Sequence, residues 1–77
     1  MYKLSERIHV DEAICNGKPI IRGMRITVQT ILEFVLAGDS PEEIIKHYPV
    51  LEPADIEACK QFAIDIMNRN YSIKQIV

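Results

Sequence analysis

Two arginines and a lysine threaded among glycines mark the part of this 77-residue chain best equipped for chemistry, Asn16-Gly17-Lys18-Pro19-Ile20-Ile21-Arg22-Gly23-Met24-Arg25-Ile26. A guanidinium presents its donors in a rigid fork that fits a carboxylate or a phosphate equally well. If Gly23 and Met24 form a bend, Arg22 and Arg25 project from one tip and can grip a phosphate together. The other use of the same residues is structural: ion pairs to Asp11, Glu12 or acids on a helix would pin the segment in place. Lys18 beside Gly17 can also cradle a phosphate, but the Gly-x-x-x-x-Gly-Lys-Ser/Thr frame of a nucleotide-binding loop is missing. A cationic tip of this kind reads as a binding edge and not as a catalytic centre.

The remaining reactive side chains do not assemble into known chemistry. His9 and His47 are not spaced with Cys15 or Cys59 as metal ligands would be. No Ser-His-Asp order and no close pair of catalytic carboxylates stands out. Glu42-Glu43 is explained by helix capping, and Cys59 falls in an apolar stripe, where a thiol packs as a small hydrophobe. The expectation is a protein that is not an enzyme and uses neither metal nor cofactor.

Composition narrows the partners. The formal net charge is −2, which argues against a strongly basic nucleic-acid binder. The charge is uneven, however. Residues 1–30 carry Lys3, Arg7, Lys18, Arg22 and Arg25 against Glu6, Asp11 and Glu12, whereas the rest of the chain is acidic. A local basic patch can bind phosphate despite a negative total. No signal-peptide core or membrane-length apolar run is present, so a cytoplasmic protein with free thiols and no membrane contact is expected. A chain this short buries a modest fraction of its surface, and a homodimer would add what the monomer lacks.

The elements that must position the cationic tip follow from periodicity. Residues 1–6 read as a polar lead-in. Arg7-Ile8-His9-Val10-Asp11 alternates polar and apolar, as a half-buried strand does. Asn16-Gly17 is a turn dipeptide, and Lys18 to Ile26 returns as a strand broken at Gly23. Val28, Ile31, Leu32, Val35 and Leu36 then form one helical stripe, with Thr27 as N-cap and Gly38 as the stop. Ser40-Pro41-Glu42-Glu43 opens a second helix with a capping box, and Pro49 ends it. The third runs from Pro53 to about Asn70, with Ile56, Cys59, Phe62, Ala63, Ile66 and Met67 at helical spacing. Asp55 and Glu57 suit its positive first turn.

The expected architecture is mostly α: one domain over 1–77, a short N-terminal β-hairpin arm (1–26), a trihelical helix-turn-helix-like bundle (27–70) and a tail (71–77). The third helix holds the recognition position. Ala54, Asp55, Glu57, Ala58, Lys60 and Gln61 are expected on its early exposed face, with Lys60 available to phosphate and Gln61 to adenine. Asp55 and Glu57 would repel phosphates there, so a merely solvated face is the competing reading.

Ile14-Cys15-Asn16-Gly17-Lys18-Pro19-Ile20-Ile21-Arg22-Gly23-Met24-Arg25-Ile26, then Ala37-Gly38-Asp39-Ser40-Pro41-Glu42-Glu43-Ile44 and Tyr48-Pro49, resembles the DUF433 family in order and spacing over about residues 7–65. Asn16 stands where a second glycine is common, and Met24 where threonine is common. The resemblance implies a helix-turn-helix-like fold and an antitoxin of a type II toxin–antitoxin pair. Such a chain would be a non-catalytic autoregulator that binds operator DNA and neutralises a PIN-like ribonuclease. The alternative is a protein–protein interaction module with the same fold and no DNA binding. For the ribonuclease, the C-terminal Arg69 and Lys74 offer cations, and Tyr71, Ile73 and Ile76 offer apolar anchors. The same residues would equally finish the core or pair with a dimer mate.

Overall fold

The computed structural model describes the backbone of residues 2–76 and the side chains of residues 3–68. Strand β2 (Ile8–Val10) pairs antiparallel with β3 (Ile20–Ile21), with Ile8 opposite Ile21 and His9 opposite Ile20. Ile8 and Ile21 enter the core, and His9 and Ile20 on the other face are buried too, so the paired strands are covered on both faces and not half-buried as the alternation suggested. This is the expected hairpin, extended by a strand the sequence did not announce. β1 (Tyr2–Lys3) pairs antiparallel with β2, giving the order β1-β2-β3. Two residues held by backbone pairing leave little side-chain signature, which is why a polar lead-in conceals them. The turn back is closed by the amides of Leu4 and Ser5 donating to the Ile8 carbonyl, at 2.8 and 3.1 Å.

Two left-handed turns flank β3. In the first, Cys15–Gly17 forms a single 3-10 turn with φ of 52°, 56° and 77°. Asn16 and Gly17 accept that region readily, whereas for Cys15 it costs on the order of 1 kcal/mol. In the second, the Met24 amide donates to the Ile21 carbonyl at 2.8 Å, around Arg22 (φ 46°) and Gly23 (φ 75°). Positive φ at both central residues is the signature of a type I′ turn. The bend therefore lies one residue earlier than the Gly23-Met24 expectation. A bridge between Ile20 and Thr27 closes the small loop.

Helix α1 (Val28–Leu36) starts as expected, with the Thr27 hydroxyl accepting from the Thr30 amide at 3.1 Å. It ends on Gly38 at φ 97°, where the Gly38 amide donates to Val35 and the Asp39 amide to Phe34. Those two bonds make a Schellman ending, which favours glycine at its left-handed position. Helix α2 (Pro41–His47) carries the complete capping box: Glu43 N–H to Ser40 Oγ at 3.2 Å, and Ser40 N–H to Glu43 Oε1 at 2.8 Å. Both bonds favour the ionised Glu43 and hold its carboxyl below the usual range. Helix α3 (Pro53–Ile76) continues past the expected end near Asn70.

The core joins hairpin and helices through Ile8, Ile21, Val28, Ile31, Ile44, Leu51, Ile56 and Cys59. Each buried branched aliphatic side chain contributes roughly 1.5–3 kcal/mol. On the α1–α2 side, Phe34 stacks on His47 at 5.3 Å and meets Tyr48 edge-on at 6.0 Å. The fold is thus mostly helical, a short N-terminal hairpin sheet followed by three helices. Among the described residues no helix is long and apolar enough to cross a membrane.

Candidate functional site

Asp55 organises the junction between hairpin and helices. It lies in the first turn of α3, where its Oδ2 accepts from the Glu52 amide at 2.8 Å and meets the positive end of the helix. Its spacing to Cys59, Phe62 and Ile66 also places it on the apolar stripe. The result is a carboxylate with 0% exposure, which must be paired to be tolerated. The sequence expectation of an exposed Asp55 is therefore corrected.

Two arginines from the arm supply the pairing. Arg22 donates from Nε to Oδ1 at 3.0 Å and from Nη2 to Oδ2 at 2.8 Å, and Nη2 also reaches the Val50 carbonyl at 3.0 Å. Arg7 Nη1 donates to Asp55 Oδ1 at 2.8 Å and to Glu52 Oε1 at 2.6 Å. Burial pushes the Asp55 carboxyl up, but the hydrogen bonds from Arg22, the Glu52 amide and Arg7 outweigh it, and its pKa lies below the ordinary value. Both guanidinium pKa values move up, chiefly through hydrogen bonds to Glu52 and Asp55 for Arg7 and to Asp55 for Arg22. The left-handed backbone at Arg22 is explained here too. Such a conformation persists in a non-glycine residue when its surroundings over-determine it, and this side chain has three bonds to one junction.

Of the two uses the sequence left open for Arg22, the ion pair to a helix acid is the one present. Arg7, Arg22, Glu52 and Asp55 balance in charge, so the junction has no spare positive charge for a phosphate. Arg7 was not singled out from the sequence. The signal that could have found the cluster was an acid on the apolar stripe of α3, which requires a cation from elsewhere.

The other candidates separate from this junction. Lys18 and Arg25 are exposed on either side of β3, and neither side chain has a hydrogen-bond or ion-pair partner among the described residues. Lys60 is half-buried and bonds Glu57 at 3.0 Å. Gln61 Nε2 donates to Asp65 Oδ1 at 3.0 Å. With Lys3, Leu4, Ser5 and Phe62, Gln61 and Asp65 also line a cleft of about 410 Å³ between the arm and α3. Ala54, Glu57 and Gln61 are exposed as expected, whereas Ala58 is half-buried. The side chains of Arg69, Tyr71, Ile73, Lys74 and Ile76 lie outside the described residues.

The remaining reactive groups are quiet. Burial, with a smaller contribution from Asp55, pushes the Cys59 thiol up to about 12, so it stays protonated and packs as core. His9 is 8% exposed, and neither ring nitrogen meets a hydrogen-bond partner. No group of three His, Cys, Asp or Glu among the described residues is placed to hold a metal ion.

No curated protein and no solved structure matches the chain. A family profile does match, over residues 8–63, and this span holds both turns around β3, the Ser40–Glu43 capping box and three members of the charged junction, Arg22, Glu52 and Asp55, with Arg7 just before it. The chain belongs to that family, DUF433, described as a protein of unknown function.

Proposed function

We propose that this chain is a non-catalytic, antitoxin-like cytoplasmic protein, homodimeric, that neutralises a PIN-like ribonuclease and meets operator DNA through Lys18 and Arg25. The observation that supports the DNA contact is the pair of exposed cations without partners on the loops around β3. Arg22 supports it indirectly, by fixing the turn from which Arg25 follows. The test is a fluorescence anisotropy titration of the promoter upstream of the gene, at several salt concentrations. Neutralising two phosphates gives a log–log salt slope of roughly two. Lys18→Ala with Arg25→Ala should remove most of that slope and leave helical circular dichroism intact. Binding unchanged in the double variant would remove these residues from the interface.

A second reading, a protein–protein interaction module without DNA binding, is favoured by the exposed face of α3. Glu57 and Asp65 make that face acidic, and they occupy Lys60 and Gln61 in bonds within the helix. No promoter binding at low salt, combined with inhibition of a co-expressed PIN-like ribonuclease, would select it.

A further inference from the structure

The loop that carries Arg25 is Arg22-Gly23-Met24-Arg25, closed at its ends by the Ile21 amide donating to the Ile26 carbonyl at 3.1 Å. Arg25, its last residue, is exposed and has no partner among the described residues. Arg22, its first residue, is tied down on both backbone and side chain. Its amide donates to the Arg7 carbonyl at 2.9 Å. Its guanidinium makes three bonds of 2.8 to 3.0 Å, two to Asp55 and one to the Val50 carbonyl. Gly23 suits the turn, but arginine is a poor first central residue of type I′, where asparagine, aspartate or glycine is usual. The left-handed backbone at Arg22 (φ 46°) is therefore held by groups 28 and 33 positions away.

We infer that Arg22 is a positioning residue for the DNA contact: Asp55 and Val50, acting through it, fix the turn that aims Arg25, and the Arg22 guanidinium itself does not bind phosphate. Its charge is already answered by a carboxylate with 0% exposure. Drawing the fork away toward DNA would strand that buried charge. A loop held in one conformation before DNA arrives loses less freedom on binding than a free one. Affinity thus depends on Arg22, whereas the number of phosphates neutralised does not. The inference rests on the DNA reading of Lys18 and Arg25 and names the groups that aim one of them.

Two variants separate aiming from contact. Arg22→Ala and Arg22→Asn remove the same three side-chain bonds from the junction. They differ in the turn: asparagine before glycine is the favoured I′ pair, whereas alanine resists positive φ. Both are measured where circular dichroism shows them folded. Arg22→Ala is expected to bind the promoter about tenfold more weakly than wild type, with the same log–log salt slope of roughly two. Arg22→Asn is expected to recover most of the affinity. Amide exchange reads the turn without DNA. The Met24 amide, which donates to the Ile21 carbonyl, should lose protection in Arg22→Ala and keep it in Arg22→Asn, with the Ile31 amide of α1 protected in both. Should loss of the fork unfold both variants, Gly23→Ala leaves the fork in place and opposes the φ of 75°. It should weaken binding with the slope unchanged. Equal losses of affinity in the two Arg22 variants, with the slope lowered by about one, would overturn the inference and make Arg22 a phosphate contact. Unchanged affinity and Met24 protection in Arg22→Ala, or unchanged affinity in Gly23→Ala, would overturn it too. A wild type that leaves the promoter unbound overturns the DNA reading and the purpose assigned to the loop, and Met24 exchange distinguishes that result from a failure of the clamp.

Discussion

Asp55 is a fully buried charge with two guanidinium partners, and removing one partner of such a buried pair strands the others. Asp55→Asn keeps the shape but not the charge, and is expected to cost about 3 kcal/mol in chemical denaturation. The pH dependence follows from the direction of the shift. A carboxyl whose folded pKa lies below its unfolded value contributes stability that is fully present above the unfolded pKa, about 3.9. That stability is lost as pH falls from there through the folded value. Wild type should therefore show a steep loss in acid denaturation below about pH 4, and Asp55→Asn should flatten it. Glu43 has the same sign through its cap. Arg22→Ala should destabilise as well, through the lost fork and a freed left-handed turn. This makes the Lys18 and Arg25 pair the cleaner probe of DNA binding.

At the scale of elements, what could be read in advance was what is local. Thr27, the Ser40–Glu43 box and Gly38 act on the backbone within a few residues of themselves, so sequence order alone displays them. Gly38→Ala isolates one such signal. A methyl group there meets nothing within 4 Å, so only the φ of 97° opposes it. The expected loss is about 1 kcal/mol in thermal unfolding, with partner binding unchanged. Strand β1 and the junction were not legible for the opposite reason. Tyr2 and Lys3 become a strand only because Val10 and His9 lie beside them. An aspartate in a first helical turn looks like a solvated dipole partner until Arg7 and Arg22 arrive from the arm. The position of the I′ turn was missed because asparagine, aspartate or glycine, not arginine, is the usual first central residue. The side chain's distant bonds decided it.

For the whole molecule, the charge-balanced junction and the exposed cations around β3 have different roles: the first holds the arm on the helices, and nucleic acid is expected to meet the second. Asp55→Asn and the Lys18/Arg25 double variant should therefore be separable, the first losing stability and the second promoter binding, as paired denaturation and anisotropy measurements would show. The junction also has a consequence for how the chain comes into being. Its clamp joins residues 33 and 48 positions apart, and the acidic member is the last of them to be made. While the chain emerges from the ribosome, the arm and the first two helices exist before anything can neutralise Arg7 and Arg22 from within or hold the Arg22 turn. The N-terminal half should remain sensitive to proteases until Asp55 and the core residues of α3 that follow it, Ile56, Cys59 and Phe62, clear the exit tunnel. Stalled nascent chains ending before Pro53 and after Met67, with enough linker to span the tunnel, would show the change as a gain in resistance.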